Sequence, residues 1–266
     1  MSRPGPKPNP KPKLKPKPKS RELEVITSRR ISPHMLRVTL GGPELQDFPK
    51  DQESAYVKLL FEQGEGKKPL MRTYTIRHQR KNEIDIDFVI HEHPGPAGAW
   101  AQQAEPGQRI HVAGPGARKL INPDGDWLLF LGDMTALPAI SVNLSLFPED
   151  ARGHAVIEIA SESDRQELQA PSNLQIHWVV NRDARAPGVA LQQQLRQISW
   201  QEGNPAIWCA TEFSTMREMR QYFRSERPVA ASHRYISSYW KSGLSEEQHK
   251  VLKREDEVIS GAFMAS

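Results

Sequence analysis

WLLFLGDMTALP, residues 127–138, divides the chain into two kinds of sequence. Its first five residues are apolar without a break, the pattern of a short strand covered on both faces. Gly132 and Asp133 end the strand, and 137–147 reads as a helix. Downstream the alternation continues, with strands at 155–160, 174–180 and 206–210 and helices at 189–198 and 215–224. Continuous apolar strands separated by helices predict a parallel sheet with helices on both faces. Residues 161–172 are too polar for a long helix. A short strand at 235–240 and a charged helix at 245–258 close the chain, the helix started by a capping box between Ser245 and Gln248.

Upstream the period changes. Residues 21–114 carry short alternating or continuous apolar runs, read as strands at 22–30, 35–40, 56–61, 72–77, 84–91 and 109–112. Gly41-Gly42-Pro43, the stretch 64–69 and residues 80–82 separate several of them. The cleanest alternation is Ile84-Asp85-Ile86-Asp87-Phe88, expected to have one buried face and one wet face carrying the aspartates. Six antiparallel strands of this size predict a small closed barrel, since closure removes exposed edges. The fold expected is thus β-barrel plus α/β.

Composition narrows the class. Of 266 residues, 37% are apolar and 26% charged, which suits a folded chain. No apolar run approaches the length of a membrane-spanning helix. The single cysteine, Cys209, excludes a disulfide framework and a cysteine cluster for zinc or iron–sulfur, and points to a reducing, cytoplasmic setting. Cys209 itself reads as a small buried hydrophobe. The net charge of +4 misleads until it is divided. Seven of the 36 basic residues lie in residues 1–20, which hold no acid; the remaining 29 face 32 acidic residues, a formal −3. That proline- and lysine-rich tail cannot form a core and is expected to be extended or disordered. Its charge admits a nucleic-acid contact, but a solvated tail is the plainer reading.

Three stretches suggest chemistry. RTYTIR, residues 72–77, puts Arg72, Tyr74 and Ile76 on one strand face and Thr73, Thr75 and Arg77 on the other. Such a face can stack and fork onto a planar, phosphorylated ligand, or it can be a barrel strand with a surface salt link. Residues 93–100 carry Pro94 and Pro96 into a helix start at which free amides can meet an anion, or simply cap a helix. Gly132–Pro138 sits where a parallel strand meets a helix, the usual ligand position in open α/β sheets, although it is neither a dinucleotide fingerprint nor a phosphate-binding Walker loop. No nucleophile elbow, Ser/His/Asp triad or zinc motif is present in the sequence.

These pieces, taken with DFVIH at 87–91, GPAGAWA at 95–101, AGPG at 113–116, GDMTALPAI at 132–140, EFSTMREMRQY at 212–222 and SSYWKSG at 237–243, resemble the siderophore-interacting protein family. That family is a branch of the ferredoxin-reductase-like flavoproteins. The resemblance spans nearly everything after the tail. It implies a six-stranded antiparallel flavin-binding barrel over 21–122, a parallel-sheet nicotinamide-nucleotide-binding domain over 123–234, and a C-terminal segment and helix, 235–266, lining the flavin and substrate cleft. The implied activity is FAD-dependent reduction of ferric siderophores, with electrons from NAD(P)H or reduced ferredoxin.

Carried over by position, Arg72 would contact the FAD diphosphate, Tyr74 would lie against the flavin rings, and Thr75 would bond near the flavin N5. Thr73 and Arg77 would support the phosphate and ribityl oxygens. His91 and the turn Gly95, Ala97, Gly98, Ala99 and Trp100 would complete the seat. Asp133, Thr135, Ala136 and Glu212 would line the nicotinamide side. For an anionic ferric chelate, Lys58, Arg118 and Lys241 are the expected contacts, with Arg80 and Lys119 in reserve. Three positions depart from the family pattern. Met134 stands where glutamate is common, Thr211 where glycine is common, and Gly114-Pro115-Gly116-Ala117 where Gly-Pro-Arg-Gly is frequent. The first two bear on the electron donor more than on the flavin. A reductase of the same fold for another acceptor, and a siderophore-binding protein without turnover, are the competing expectations. A monomer is the default.

Overall fold

The computed structural model describes residues 20–183 and 185–262; most of the basic tail expected at 1–20 lies outside them. Six antiparallel strands come first: β1 (Ser20–Ser32), β2 (Met35–Gly41), β3 (Tyr56–Phe61), β4 (Leu70–Arg80), β5 (Glu83–Val89) and β6 (Arg109–Ala113). They close into a barrel in the order β1-β2-β5-β4-β3-β6, with β6 returning to β1. Helix α1 (Pro96–Gln102) follows β5. Val25, Val38, Leu40, Val57, Leu59, Ile76, Ile84, Ile86 and Phe88 fill the interior with no solvent exposure. Burying each such side chain contributes about 1.5–3 kcal/mol.

The barrel corrects one expectation. The Asp85 and Asp87 face of β5 is not wet: both aspartates are buried. Asp87 takes a two-pronged ion pair from Arg37 of β2, at 2.6 and 2.7 Å. Asp85 accepts from Arg80 at 2.7 Å and from Thr39 at 2.8 Å. Alternation identified the strand, but long basic side chains from the neighbouring strands cover its polar face.

The second half is a five-stranded parallel sheet in the order β11-β10-β7-β8-β9: β7 (Trp127–Asp133), β8 (Arg152–Ile159), β9 (Asn173–Val180), β10 (Pro205–Glu212) and β11 (Arg234–Trp240). The unbroken apolar run of β7 is explained by cover on both sides. Leu128 and Phe130 pack with Leu137, Ile140 and Leu144 of α2 (Leu137–Ser145). Trp127, Leu129 and Leu131 pack with Leu191 and Leu195 of α3 (Val189–Gln197) and Met219 of α4 (Phe213–Gln221). The helix expected at 215–224 starts two residues earlier as α4 and ends in a wider π turn, Tyr222–Glu226. Residues 161–172 hold only a 3₁₀ turn, Glu162–Asp164, as their polarity implied. α5 (Glu246–Ala262) begins with the expected capping box: Gln248 N donates to Ser245 Oγ at 3.3 Å and Ser245 N to Gln248 Oε1 at 2.9 Å. Cys209 is wholly buried, and burial pushes its thiol far up, away from reactivity.

Two seams join the halves. Asp164, fully buried, accepts from Ser32 Oγ at 2.8 Å and His34 N at 2.9 Å. Asn143 of α2 holds the connecting segment, donating to Lys119 O at 3.0 Å and accepting from Ile121 N at 2.9 Å. Trp208 Nε1 donates to the same Lys119 carbonyl at 3.0 Å. No helix among the described residues is long and apolar enough to cross a membrane.

Candidate functional site

A cavity of about 510 Å³ lies where the barrel, the parallel sheet and α5 meet. β4 supplies Arg72, Thr73, Tyr74 and Thr75, and β3 adds Tyr56 and Lys58. The segment after β5 contributes His91, Gly95, Ala97 and Gly98, and α2 begins at its edge with Thr135 and Pro138. Residues far apart in sequence thus converge on one cavity. Tyr74 packs on Phe88 at 4.4 Å between ring centroids, and Phe88 lies 5.9 Å from Trp100. Burial, followed by the Glu246 carboxylate, raises the Tyr74 hydroxyl well above the tyrosine range, so it stays protonated and keeps a proton to donate.

Other expected residues stand behind the wall. Trp100 buttresses it through an edge-on contact with Phe61 at 6.1 Å. The Ala99 amide is committed to Gly95 O at 2.9 Å, which leaves the earlier amides of Ala97 and Gly98 as the ones α1 does not pair. Arg77 is half-buried and outside the lining, in the field of Asp87 and Asp85. Ala136 is buried at the start of α2.

The strand-end group is self-satisfied. Asp133 Oδ1 accepts from Thr135 N at 2.8 Å and Thr135 Oγ1 at 2.5 Å, while Oδ2 accepts from Trp240 Nε1 at 2.8 Å and Thr211 Oγ1 at 3.2 Å. Glu212 caps α4 by accepting from Ser214 N and Thr215 N. Burial alone would raise its carboxyl, but Lys241 and the amides of Ser242, Ser214 and Thr215 outweigh that and hold it below the usual range.

The basic residues are distributed differently from the sequence reading. Lys58 lines the cavity. Arg118 does not; its Nε donates to Glu53 O at 2.9 Å. Lys241 is tied to Glu212 at 3.0 Å and Ser214 Oγ at 2.8 Å, outside the lining. Arg80 is spent on Asp85 and Glu83. Lys119, held in reserve, does reach the cavity, with Nζ 5.8 Å from the ring centres of both Tyr56 and Tyr235.

Sequence reasoning put the C-terminal segment and helix beside the cleft but named none of the α5 residues that line it. Glu246, His249, Lys250 and Lys253 all line the cavity, and their i, i+3, i+4, i+7 spacing is a polar face legible in retrospect. Glu246 accepts from Thr73 Oγ1 at 2.8 Å and Thr73 N at 3.1 Å, and Glu247 takes Arg72 Nη1 at 2.7 Å. Lys253 donates to Ser237 Oγ at 2.8 Å, and His249 Nε2 lies 2.8 Å from Ser238 Oγ. Burial pushes the Lys253 ammonium below the ordinary lysine range. In all, five cationic side chains (Lys58, Arg72, Lys119, Lys250 and Lys253) face two carboxylates, Asp87 and Glu246, across this cavity. The first carboxylate is already neutralised by Arg37, the second lies 2.7 Å from Lys250, and Arg72 among the cations is paired with Glu247 at 2.7 Å.

Comparison with known proteins gives the same architecture. The siderophore-interacting FAD-binding domain model matches residues 24–69 and 62–119, and the siderophore-interacting protein model matches 125–243. An uncharacterized protein of Mycobacterium tuberculosis H37Rv is 34% identical over 87% of this chain and 94% of its own. Ferric vibriobactin reductase ViuB of Vibrio cholerae is 32% identical over 88% of this chain and 96% of its own. The crystal structure of the siderophore-interacting protein SipS from Aeromonas hydrophila superposes with a TM-score of 0.80 at 30% identity, covering 90% of this chain and 98% of that one. The two models together cover the barrel and the parallel sheet, and the full-length relatives exceed 30% identity, so the chain belongs to the siderophore-interacting protein family.

Proposed function

We propose that the chain is an FAD-dependent reductase of ferric siderophores. The observation that carries this reading is the basic cavity beside Tyr74 and β4, which joins a seat for a flavin to a surface for an anionic chelate. The residues fit the cofactor chemically. Tyr74 offers an aromatic surface, Thr75 a hydroxyl, Arg72 a guanidinium, and Ala97 and Gly98 two unpaired amides for the diphosphate. When bound, the flavin takes up electrons in pairs and returns them singly, a capability that side chains lack.

The protein's own part is binding and orientation. Lys58, Lys119, Lys250 and Lys253 attract a negatively charged ferric chelate and hold it over the barrel face. Fe(III) in the chelate is the substrate, and outer-sphere transfer requires no acid, base or nucleophile from the chain. Hard oxygen chelators hold Fe(II) less well than Fe(III), so reduction promotes release. The donor is a reduced nicotinamide or a small reduced iron–sulfur protein. Asp133 already accepts from Thr211, Trp240 and Thr135, so a nicotinamide would draw its hydrogen bonds from other groups.

Arg72→Ala tests the flavin seat. Loss of a hydrogen bond to a charged group costs about 1.5–3 kcal/mol, so FAD affinity falls roughly 10- to 150-fold, read by flavin fluorescence titration. Unchanged affinity removes Arg72 from the diphosphate.

A further inference from the structure

A second cavity, about 280 Å³, opens on the α3 side of the parallel sheet and shares no lining residue with the first. Its centre is a pair of histidines on neighbouring parallel strands, His154 on β8 and His177 on β9. His154 Nδ1 lies 3.1 Å from His177 Nε2. The outer nitrogens are also engaged: Gln201 Nε2 lies 3.3 Å from His154 Nε2, and Gln194 Nε2 lies 3.4 Å from His177 Nδ1. Gln175, Gln197, Ile198 and Ser199 complete the lining, so among the described residues none of its side chains carries a fixed charge.

We propose that His154 and His177 form a two-imidazole binding site for a borderline-soft divalent metal ion, Cu²⁺ foremost. Two nitrogens 3.1 Å apart, each about 2.0–2.1 Å from one ion, subtend roughly 95–100°, between square-planar and tetrahedral geometry. The strands fix where the two histidines stand relative to one another, since β8 and β9 are paired along their whole length. The glutamines act as the outer shell. Turning each amide end for end costs little in shape and presents its oxygen to the outer ring N–H. A ligating imidazole needs that arrangement, because the outer hydrogen bond fixes which nitrogen carries the proton. Burial lowers both imidazoles below the ordinary histidine range, His154 lowers His177 further, and a backbone hydrogen bond at Ser199 opposes the shift on His154. The absence of a carboxylate among the lining residues selects against Mg²⁺ and Ca²⁺. Fe²⁺ lies low in the affinity order for nitrogen ligands, so this site is distinct in metal preference from the iron chemistry of the first cavity.

The test uses the full chain titrated with Cu²⁺ by calorimetry, with electron paramagnetic resonance on the one-equivalent sample. The expected result is one ion bound with two imidazole nitrogens in the spectrum, Zn²⁺ as a competitor and Mg²⁺ without effect. His177→Gln is close in size and sits on an edge strand; it is expected to weaken Cu²⁺ binding at least about tenfold and to remove one nitrogen from the spectrum. His93→Gln, at an exposed residue outside the cavity, leaves both readouts unchanged. Retained affinity in a folded His177→Gln chain, or a spectrum that His154→Gln and His177→Gln both leave intact, overturns the site.

Discussion

Replacing Gly116 with alanine measures how tightly Tyr56 packs on the segment after β6. A methyl on Gly116 would stand 2.0–2.4 Å from three atoms of the Tyr56 ring, about 1.5 Å short of ordinary carbon contact. The backbone there is pinned, with Gly116 N donating to Tyr56 O at 2.7 Å and Tyr56 paired with Thr75 across β3 and β4. The ring must therefore swing, and it carries the cavity wall and the neighbour of Lys119 with it. Overpacking of this kind costs about 1–3 kcal/mol. Gly116 is not in the left-handed region, so the backbone itself accepts alanine. In a Tyr56→Ala background the same change is then neutral or slightly stabilising, by up to about 1 kcal/mol from reduced unfolded-state entropy. Urea unfolding of the four proteins in the double-mutant cycle gives the coupling directly. An equal cost of Gly116→Ala in both backgrounds refutes the steric account.

Lys241→Gln separates a structural lysine from a substrate contact. The Glu212 carboxylate lies below its ordinary value in the fold, so the stability it contributes is present above about 4.5 and is lost as pH falls through the lowered value. The variant should lose about 1–3 kcal/mol at pH 7, by thermal or urea unfolding, with the deficit shrinking in acid, while chelate affinity changes little. A selective loss of chelate binding at full stability returns Lys241 to the substrate site. Lys253→Gln should act oppositely, weakening a negatively charged ferric chelate about tenfold, or about 1.4 kcal/mol, with little effect on a neutral one. Because burial lowers the Lys253 ammonium, wild-type affinity for the anion falls as pH rises toward 10.5, ahead of an ordinary lysine, and titration of Lys253→Gln lacks that step. Equal losses for charged and neutral chelates contradict charge recognition.

The order of strands and helices was legible because each half keeps one period: alternation with turns in the barrel, continuous apolar strands with helices in the sheet. Closure of the barrel and the parallel direction of the sheet followed from the same patterns. Local stretches such as Arg72–Thr75 and Gly95–Gly98 were legible as parts of a site, since their chemistry is dense in sequence. Asp85 and Asp87 misled because their partners, Arg37, Thr39 and Arg80, come from other strands or the strand end and cover a face that alternation marks as wet. The basic residues misled for a related reason. Charge is visible in sequence, but whether a lysine is free or spent depends on a distant carboxylate, as Lys241 on Glu212 shows. Tyr235 and Tyr239 were legible on a strand but not as cavity residues, because they enter the cavity only once β11 has joined the sheet.

The central claim is an electron path from flavin to a chelated ferric ion through this cavity. It is tested by following the visible flavin absorption of the purified chain anaerobically while a reductant and then a ferric siderophore are added. The account predicts flavin bands that bleach with reductant and return as Fe(II) appears. Bound flavin that stays reduced in the presence of the ferric chelate contradicts the substrate, and a chain that takes up no FAD on reconstitution contradicts the reductase.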